Sequence, residues 1–254
     1  MILLSILISS GMIKGNKMES ADERYSSSVV QYTDKWESLQ QHPDPEWFRD
    51  AKFGIYTHWG PYSVPAWGNE WYARRMYWDK KTKHGNFFVF HKDRYGDPAD
   101  FGYKDLIPLF TADKFNADEW ADLFVKSGAK FAGPVAEHHD GFAMWDSDMT
   151  EWDAVDMGPH RDIVGELGKA IKEREMKFVT SFHHARKWFW YEVTYTKDKR
   201  HDTEDPKYAG ANKIYPPVHT VKDSPTREYM QAWEDKIIEV IDKYEPDLLW
   251  FDGG

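Results

Sequence analysis

The sequence predicts an α/β chain that is roughly the first half of a (β/α)8-like, TIM-type barrel. Three observations carry this. Four short apolar runs each end on a burst of polar residues. Helical stretches with one apolar face separate them, in the order β-α-β-α-β-α-β. No glycine-rich phosphate loop follows any run, which weighs against a doubly wound nucleotide-binding sheet.

The first run, KFGIYT (52–57), ends at His58, Trp59 and Gly60. The second, FAGPVA (131–136), ends at Glu137, His138, His139, Asp140 and Gly141. The third, KFVTSF (177–182), ends at His183 and His184. The last, DLLWF (247–251), reads as a strand buried on both faces and delivers Asp252 and two glycines. Polar residues at the C-terminal ends of parallel strands mark the active face of a β/α scaffold.

Residues 1–45 form a lead-in, and residues 46–254 the incomplete barrel. Within the lead-in, Ile2 to Ile8 is an apolar run too short to span a bilayer. It resembles the apolar segment of an export signal, without a preceding Lys or Arg and without a cleavage motif. The expectation is a secreted or periplasmic protein, with a cytoplasmic one as the alternative. A short helix is expected around Trp36 and Leu39, and Pro45 suits the first turn of another. The stretch 61–111 is rich in Trp, Tyr, Gly and Pro, too aromatic for a disordered segment, and carries Glu70, Trp71 and Tyr72.

Asn116 and Glu119 read as a capping box, opening a helix with Trp120, Leu123 and Phe124 on its apolar face. A second helix starts at Asp162, with Val164, Leu167 and Ile171 in one stripe. A third begins near Thr226 and turns Met230, Trp233, Ile237, Val240, Ile241 and Tyr244 toward the sheet. The polar segment 197–223 between them reads as a loop on the active face or beside it.

Composition narrows the function. A net charge of −10 and a pI near 5.6 argue against nucleic acid or an anionic membrane as partner. Thirteen Trp within 17% aromatics suit flat sugar faces as well as a bulky barrel core. Zero Cys excludes disulfides, thiolate nucleophiles and cysteine-bound metals.

The strand-end histidines His58, His138, His139, His183 and His184 allow two chemistries. With Asp140 or Asp252 they could hold a divalent metal. The familiar barrel form of that site, two histidines one residue apart after the first strand, is missing. Alternatively they bind hydroxyls, with Trp faces covering apolar carbons. Asp252 favours the second reading, because a retaining glycosidase needs a carboxylate nucleophile at its pocket floor. It also needs a second carboxyl; Glu70, Glu137 and Asp140 are the candidates, and none is compelling.

The stretches KFGIYTHWGPYSVPA (52–66), NEWY (69–72), HHDGF (138–142), GPHRD (158–162) and LWFDG (249–253) closely resemble the α-L-fucosidases of glycoside hydrolase family 29. The likeness runs from Trp47 to Gly254 in matching order. It implies a (β/α)8-like catalytic domain followed by a β-sandwich, and hydrolysis of terminal α-linked fucose with retention. It implies Asp252 as nucleophile, with His58, Glu70, His138, His139 and Trp250 on the fucose and Trp71 beside it. Asp140 becomes a turn residue supporting them. Neither a metal nor an organic cofactor is implied, and the partner is a fucosylated glycan; homo-oligomerisation stays open.

The sequence departs from the family at SFH (181–183), where many members have Tyr-Tyr-Ser. His183 would then stand in for a sugar-contacting tyrosine. The resemblance also implies that the acid/base carboxyl, a later arginine, the rest of the barrel and the sandwich follow Gly254. The expected chain is thus the N-terminal portion of such an enzyme, inactive alone.

Overall fold

The computed structural model describes residues 32–195, 201–220 and 222–252. The signal-like run, part of the 197–223 loop and Gly253 lie outside the described residues. The chain divides into two compact units at Asp50 and Ala51. In the first, α1 (Trp36–Leu39) is one short turn, and α2 (Glu46–Ala51) follows Pro45.

The second unit is built on a four-stranded parallel sheet. Its strands are β1 (Gly54–Thr57), β4 (Phe131–Glu137), β5 (Lys177–Phe182) and β6 (Leu248–Phe251), in the order β1-β4-β5-β6. These are consecutive staves of a (β/α)8-like barrel. The register pairs Gly54 with Phe131, Phe131 with Lys177 and Val179 with Leu248. Gly133 lets β4 and β5 press together: a Cβ there would sit 1.4 Å from the Val179 carbonyl oxygen.

The stretch after β1 is ordered around buried aromatics. It holds α3 (Tyr72–Arg75), a hairpin of β2 (Lys81–Thr82) and β3 (Gly85–Asn86), and α4 (Phe87–Tyr95). A 3₁₀ segment, Tyr103–Leu109, follows. Tyr72, Phe87 and Tyr103 are fully buried, so this insertion packs as a folded layer.

Three longer helices back the sheet. The Asn116 side chain caps α5 (Ala117–Lys126) through the Asp118 and Glu119 amides. Asp162 caps α6 (Ile163–Lys172), and Thr226 caps α8 (Arg227–Tyr244). The short α7 (His184–Trp190) leads out of β5. Helix α6 packs on β4 and β5 and touches both α5 and α8. No helix of the described residues is long and apolar enough to cross a membrane.

Three packing expectations need correction. Leu123 is 62% exposed; α5 buries Ala121 and Phe124 instead, which a straight 3.6-residue repeat places on the sheet side. Helix α8 buries Tyr229, Ala232, Lys236 and Glu239 with Ile237 and Val240, while Met230, Trp233, Ile241 and Tyr244 are only partly covered. Its polar members are buried because each has a charged or hydrogen-bonding partner. Strand β6 is not buried on both faces: Trp250 is 54% exposed, because among the described residues β6 pairs with β5 alone.

Candidate active site

Side chains alternate across a strand, so residues two apart share a face. Tyr56 and His58 therefore project together from β1, Ser181 and His183 from β5, and Trp250 and Asp252 from β6. The contacts follow this parity. The Tyr56 hydroxyl accepts from Ser181 Oγ at 2.9 Å and lies 2.5 Å from His183 Nε2. The residues of opposite parity face away from the site: Phe182 meets Trp145 in the loop after β4, and Phe251 meets Trp233 of α8 edge-on.

Strand β4 breaks this rule, and the break brings two adjacent histidines together. Its register against β5 shifts between Val135 and Glu137, inserting one residue as a β-bulge does. Glu137 turns to the helices while His138 faces the site. Gly141 then takes a positive φ of +87°, closing a turn in which its amide donates to the His138 carbonyl. The His138 and His139 rings lie 4.6 Å apart, and 4.6 and 4.9 Å from His183. His58 joins them from β1, 5.4 Å from His138 and 5.1 Å from His183.

These imidazoles are neutral near pH 7. Burial lowers the His138 pKa well below its usual value, and the neighbouring His139, His183 and His58 lower it further. Burial takes His183 to about 3, aided by His139 and His58. Burial brings His139 to about 4, although its bond to the His183 carbonyl works the other way. His139 Nδ1 donates to that carbonyl at 2.6 Å, so the Nε2 lone pair is left to accept from a hydroxyl. His58 shifts down as well, chiefly by burial, against the pull of Glu70 and Asp252.

Asp252 stands at the tip of β6, its amide bonded to the Phe182 carbonyl at 3.0 Å. Its Oδ2 lies 3.6 Å from His183 Nδ1, just outside hydrogen-bonding distance. Glu70 and His58 line a cleft of about 310 Å³ with Tyr62, Trp67 and Asn69. Trp71 packs edge-on against Trp190 at 5.1 Å, under the Arg75 guanidinium. Trp250 shares the Asp252 face of β6 and is exposed.

Two of the three candidate carboxyls are withdrawn from this face. Glu137 is fully buried between His184 on one oxygen and Lys236 on the other, with Lys187 3.8 Å away. Burial alone would raise its pKa; the summed attraction of Lys236, His184 and Lys187 wins and holds it well below the usual range. His184 belongs to this cluster and not to the site, stacked on Trp233. Asp140 accepts from the Tyr103 hydroxyl at 2.6 Å and the Phe142 amide at 3.2 Å, and burial lifts it to about 6.

Sequence reasoning missed Tyr56, Tyr62 and Trp190. Tyr62 lies 4.9 Å from His138, and Trp190 4.2 Å from His139. Strand parity with His58 was a usable signal for Tyr56. Trp190 carried none, because it reaches the histidines from the far end of α7.

His58, His138 and His183 also gather one ligand nitrogen each within 4.8 Å of one another, a geometry a metal ion can exploit. The remaining face, with carboxylates, neutral imidazoles and tryptophans around an open cleft, suits a polyhydroxylated ring.

Comparison with known proteins agrees with that chemistry. The family model described as Alpha-L-fucosidase matches residues 19–254. The tissue α-L-fucosidase of Bos taurus is 35% identical over 254 residues, 100% of this chain and 48% of the bovine protein. That of Rattus norvegicus is 37% identical over 87% of this chain and 42% of its own length. The crystal structure of the Thermotoga maritima α-fucosidase in complex with fucose superposes with a TM-score of 0.69 at 34% identity. It covers 88% of this chain and 50% of the bacterial one. The chain thus spans about half the length of the relatives it matches. Family model, relatives and fold agree, and the chain belongs to the α-L-fucosidase family.

Proposed function

We propose that the protein is a retaining exo-glycosidase that releases terminal α-L-fucose from glycans, with Asp252 as its nucleophile. The observation that carries this is Asp252 itself, a half-exposed carboxylate at a parallel-strand tip, facing four gathered histidines. In this reading Asp252 Oδ attacks the anomeric carbon from the face opposite the leaving oxygen. The glycosidic bond breaks, the leaving oxygen takes a proton from a carboxylic acid, and a β-fucosyl ester of Asp252 forms. Water, deprotonated by the same carboxyl, then displaces Asp252 with a second inversion and restores the α configuration.

His138, His139 and His58 hold the sugar hydroxyls, and Glu70 accepts from them at the cleft. Trp71 and Trp250 cover apolar faces of the ring. His183 takes the position of a sugar-binding tyrosine, beside Asp252. Glu137 and Asp140 are bound away from the sugar and do not serve as the acid. The occurrence of a plasma α-L-fucosidase in Homo sapiens, 37% identical over 227 residues, supports export.

The test is Asp252→Gly in the full-length protein, assayed on an aryl α-L-fucoside. The kcat is expected to fall at least roughly a thousandfold. Azide should enter the vacated space and yield the β-fucosyl azide, identified by NMR. Near-normal hydrolysis, or a well-folded variant with no azide product, refutes the assignment.

A further inference from the structure

We propose that His58, His138 and His183 form a site for a first-row divalent transition ion, Zn²⁺ foremost, whose occupation excludes the sugar. The ion site stands on geometry alone; only the exclusion rests on the fucosidase reading.

The three ligand nitrogens lie within 4.8 Å of one another. A triangle with sides of that length has its centre about 2.8 Å from each corner, against a Zn–N bond of about 2.0–2.1 Å. A shift of roughly 0.7 Å by each ring closes the difference, well within side-chain freedom at a pocket wall. His58 meets His138 and His183 nearly edge-on, at 78° and 84°. Rings so disposed can turn their in-plane lone pairs to a common point.

A second observation is independent of the spacing. The Nδ1 atoms of His138 and His183 are both buried and have no hydrogen-bond partner. Buried polar atoms are nearly always satisfied, so two orphans in one cluster mark a place built to meet something. A sugar hydroxyl is one such group and a metal ion another.

The surroundings complete a tetrahedral set. Asp252 Oδ2, 3.6 Å from His183 Nδ1, is the nearest carboxylate for a fourth position. Glu70 and Asp252 are the two carboxylates whose charge reaches His58, and together they offset a dication. When Nδ1 of His183 coordinates, its proton moves to Nε2, which then donates to the Tyr56 oxygen 2.5 Å away. That is the outer-shell bond by which metal-ligating imidazoles are oriented. Imidazole donors select Zn²⁺ or Cu²⁺ over Mg²⁺ and Ca²⁺. An Asp252 carboxylate held by the ion cannot attack carbon, so occupation blocks the reaction.

The experiment strips the full-length protein with a chelator and titrates it with Zn²⁺ by calorimetry and with Co²⁺ by visible absorption. One ion per chain and a tetrahedral Co²⁺ spectrum are expected. His138→Phe and His183→Phe should each weaken binding at least roughly tenfold, and Tyr56→Phe by up to about tenfold at unchanged stoichiometry. Thermal melting checks that each variant is folded, and Tyr56→Phe, which keeps all three ligands, guards against a misfolded result. Hydrolysis of the aryl fucoside should fall in proportion to occupancy and return on chelation. Absence of saturable Zn²⁺ binding, or wild-type affinity in both His138→Phe and His183→Phe, overturns the site. Hydrolysis unchanged or accelerated at full occupancy overturns the exclusion. An ion-binding protein with no metal-free hydrolysis refutes the fucosidase reading and leaves the ion site standing.

Discussion

His138 and His139 differ in what their rings are bound to, and that difference predicts unequal roles. His139 is anchored through Nδ1 to the His183 carbonyl, so one lone pair in a fixed direction is left for substrate. His138 has no such anchor, and its Nδ1 is unpartnered. Replacing either by Phe removes one hydrogen bond to sugar, about 1–3 kcal/mol when its partner is left buried and unpaired. The expected result is a fall in kcat/KM of roughly tenfold or more for each. Only His139→Phe should also lower the melting temperature, because it alone removes a hydrogen bond within the protein, leaving the His183 carbonyl with the Arg186 amide alone. Steady-state kinetics on an aryl fucoside, with melting curves, distinguish the two; wild-type kinetics in both variants would make these residues structural.

The end of β4 separates two kinds of chemistry across one strand, and the side away from the site predicts how the fold fails. Glu137→Gln leaves the Lys236 and Lys187 ammonium groups buried without their counter-charge, a loss of about 3–5 kcal/mol. A lowering of Tm on the order of 10 °C is expected by calorimetry for a unit of this size. Lys187, faced by Glu137, Lys236, His184 and Asp140, has its pKa lowered to about 7, first by burial. Unfolded, it keeps its proton to about pH 10.4, so between these values the unfolded chain binds more protons and stability rises with pH. Lys187→Met removes that rise. The wild type should therefore gain on the variant from pH 7 to pH 10 in paired denaturation curves; a constant gap would show that Lys187 stays charged. None of this was legible in sequence. Lys236 is separated from its partner by 99 positions, so no local pattern joins the two. The strand-end histidines were legible because period-two parity and apolar runs are local signals. The convergence of His138 and His139 was legible only as a bend at Gly141, since a register shift between Val135 and Glu137 depends on β5.

At the scale of the molecule, the order of strands and helices could be read from periodicity, while burial could not, because burial depends on what lies across the sheet. Phe53, Tyr56, Trp250 and Phe251 are all more than a third exposed, and they lie along β1 and β6, the outer strands of the sheet. Unpaired strand edges with apolar side chains seek partners. The 254-residue chain, purified alone, is expected to self-associate with increasing concentration. Light scattering should report masses above the 29.9 kDa of one chain; a monodisperse monomer at every concentration would contradict this. The hydrogen bond between Tyr56 and His183 joins residues 127 apart, and it carries a consequence for synthesis. At about 5–20 residues per second, the ribosome needs roughly 6–25 s to make the second partner after the first. The helices nucleate locally within that interval, whereas the pocket closes only after β5, and then β6 with Asp252, have emerged and paired. A nascent β1, with Tyr56 and His58 already displayed, is thus the longest-waiting part of the site and the natural client of a chaperone.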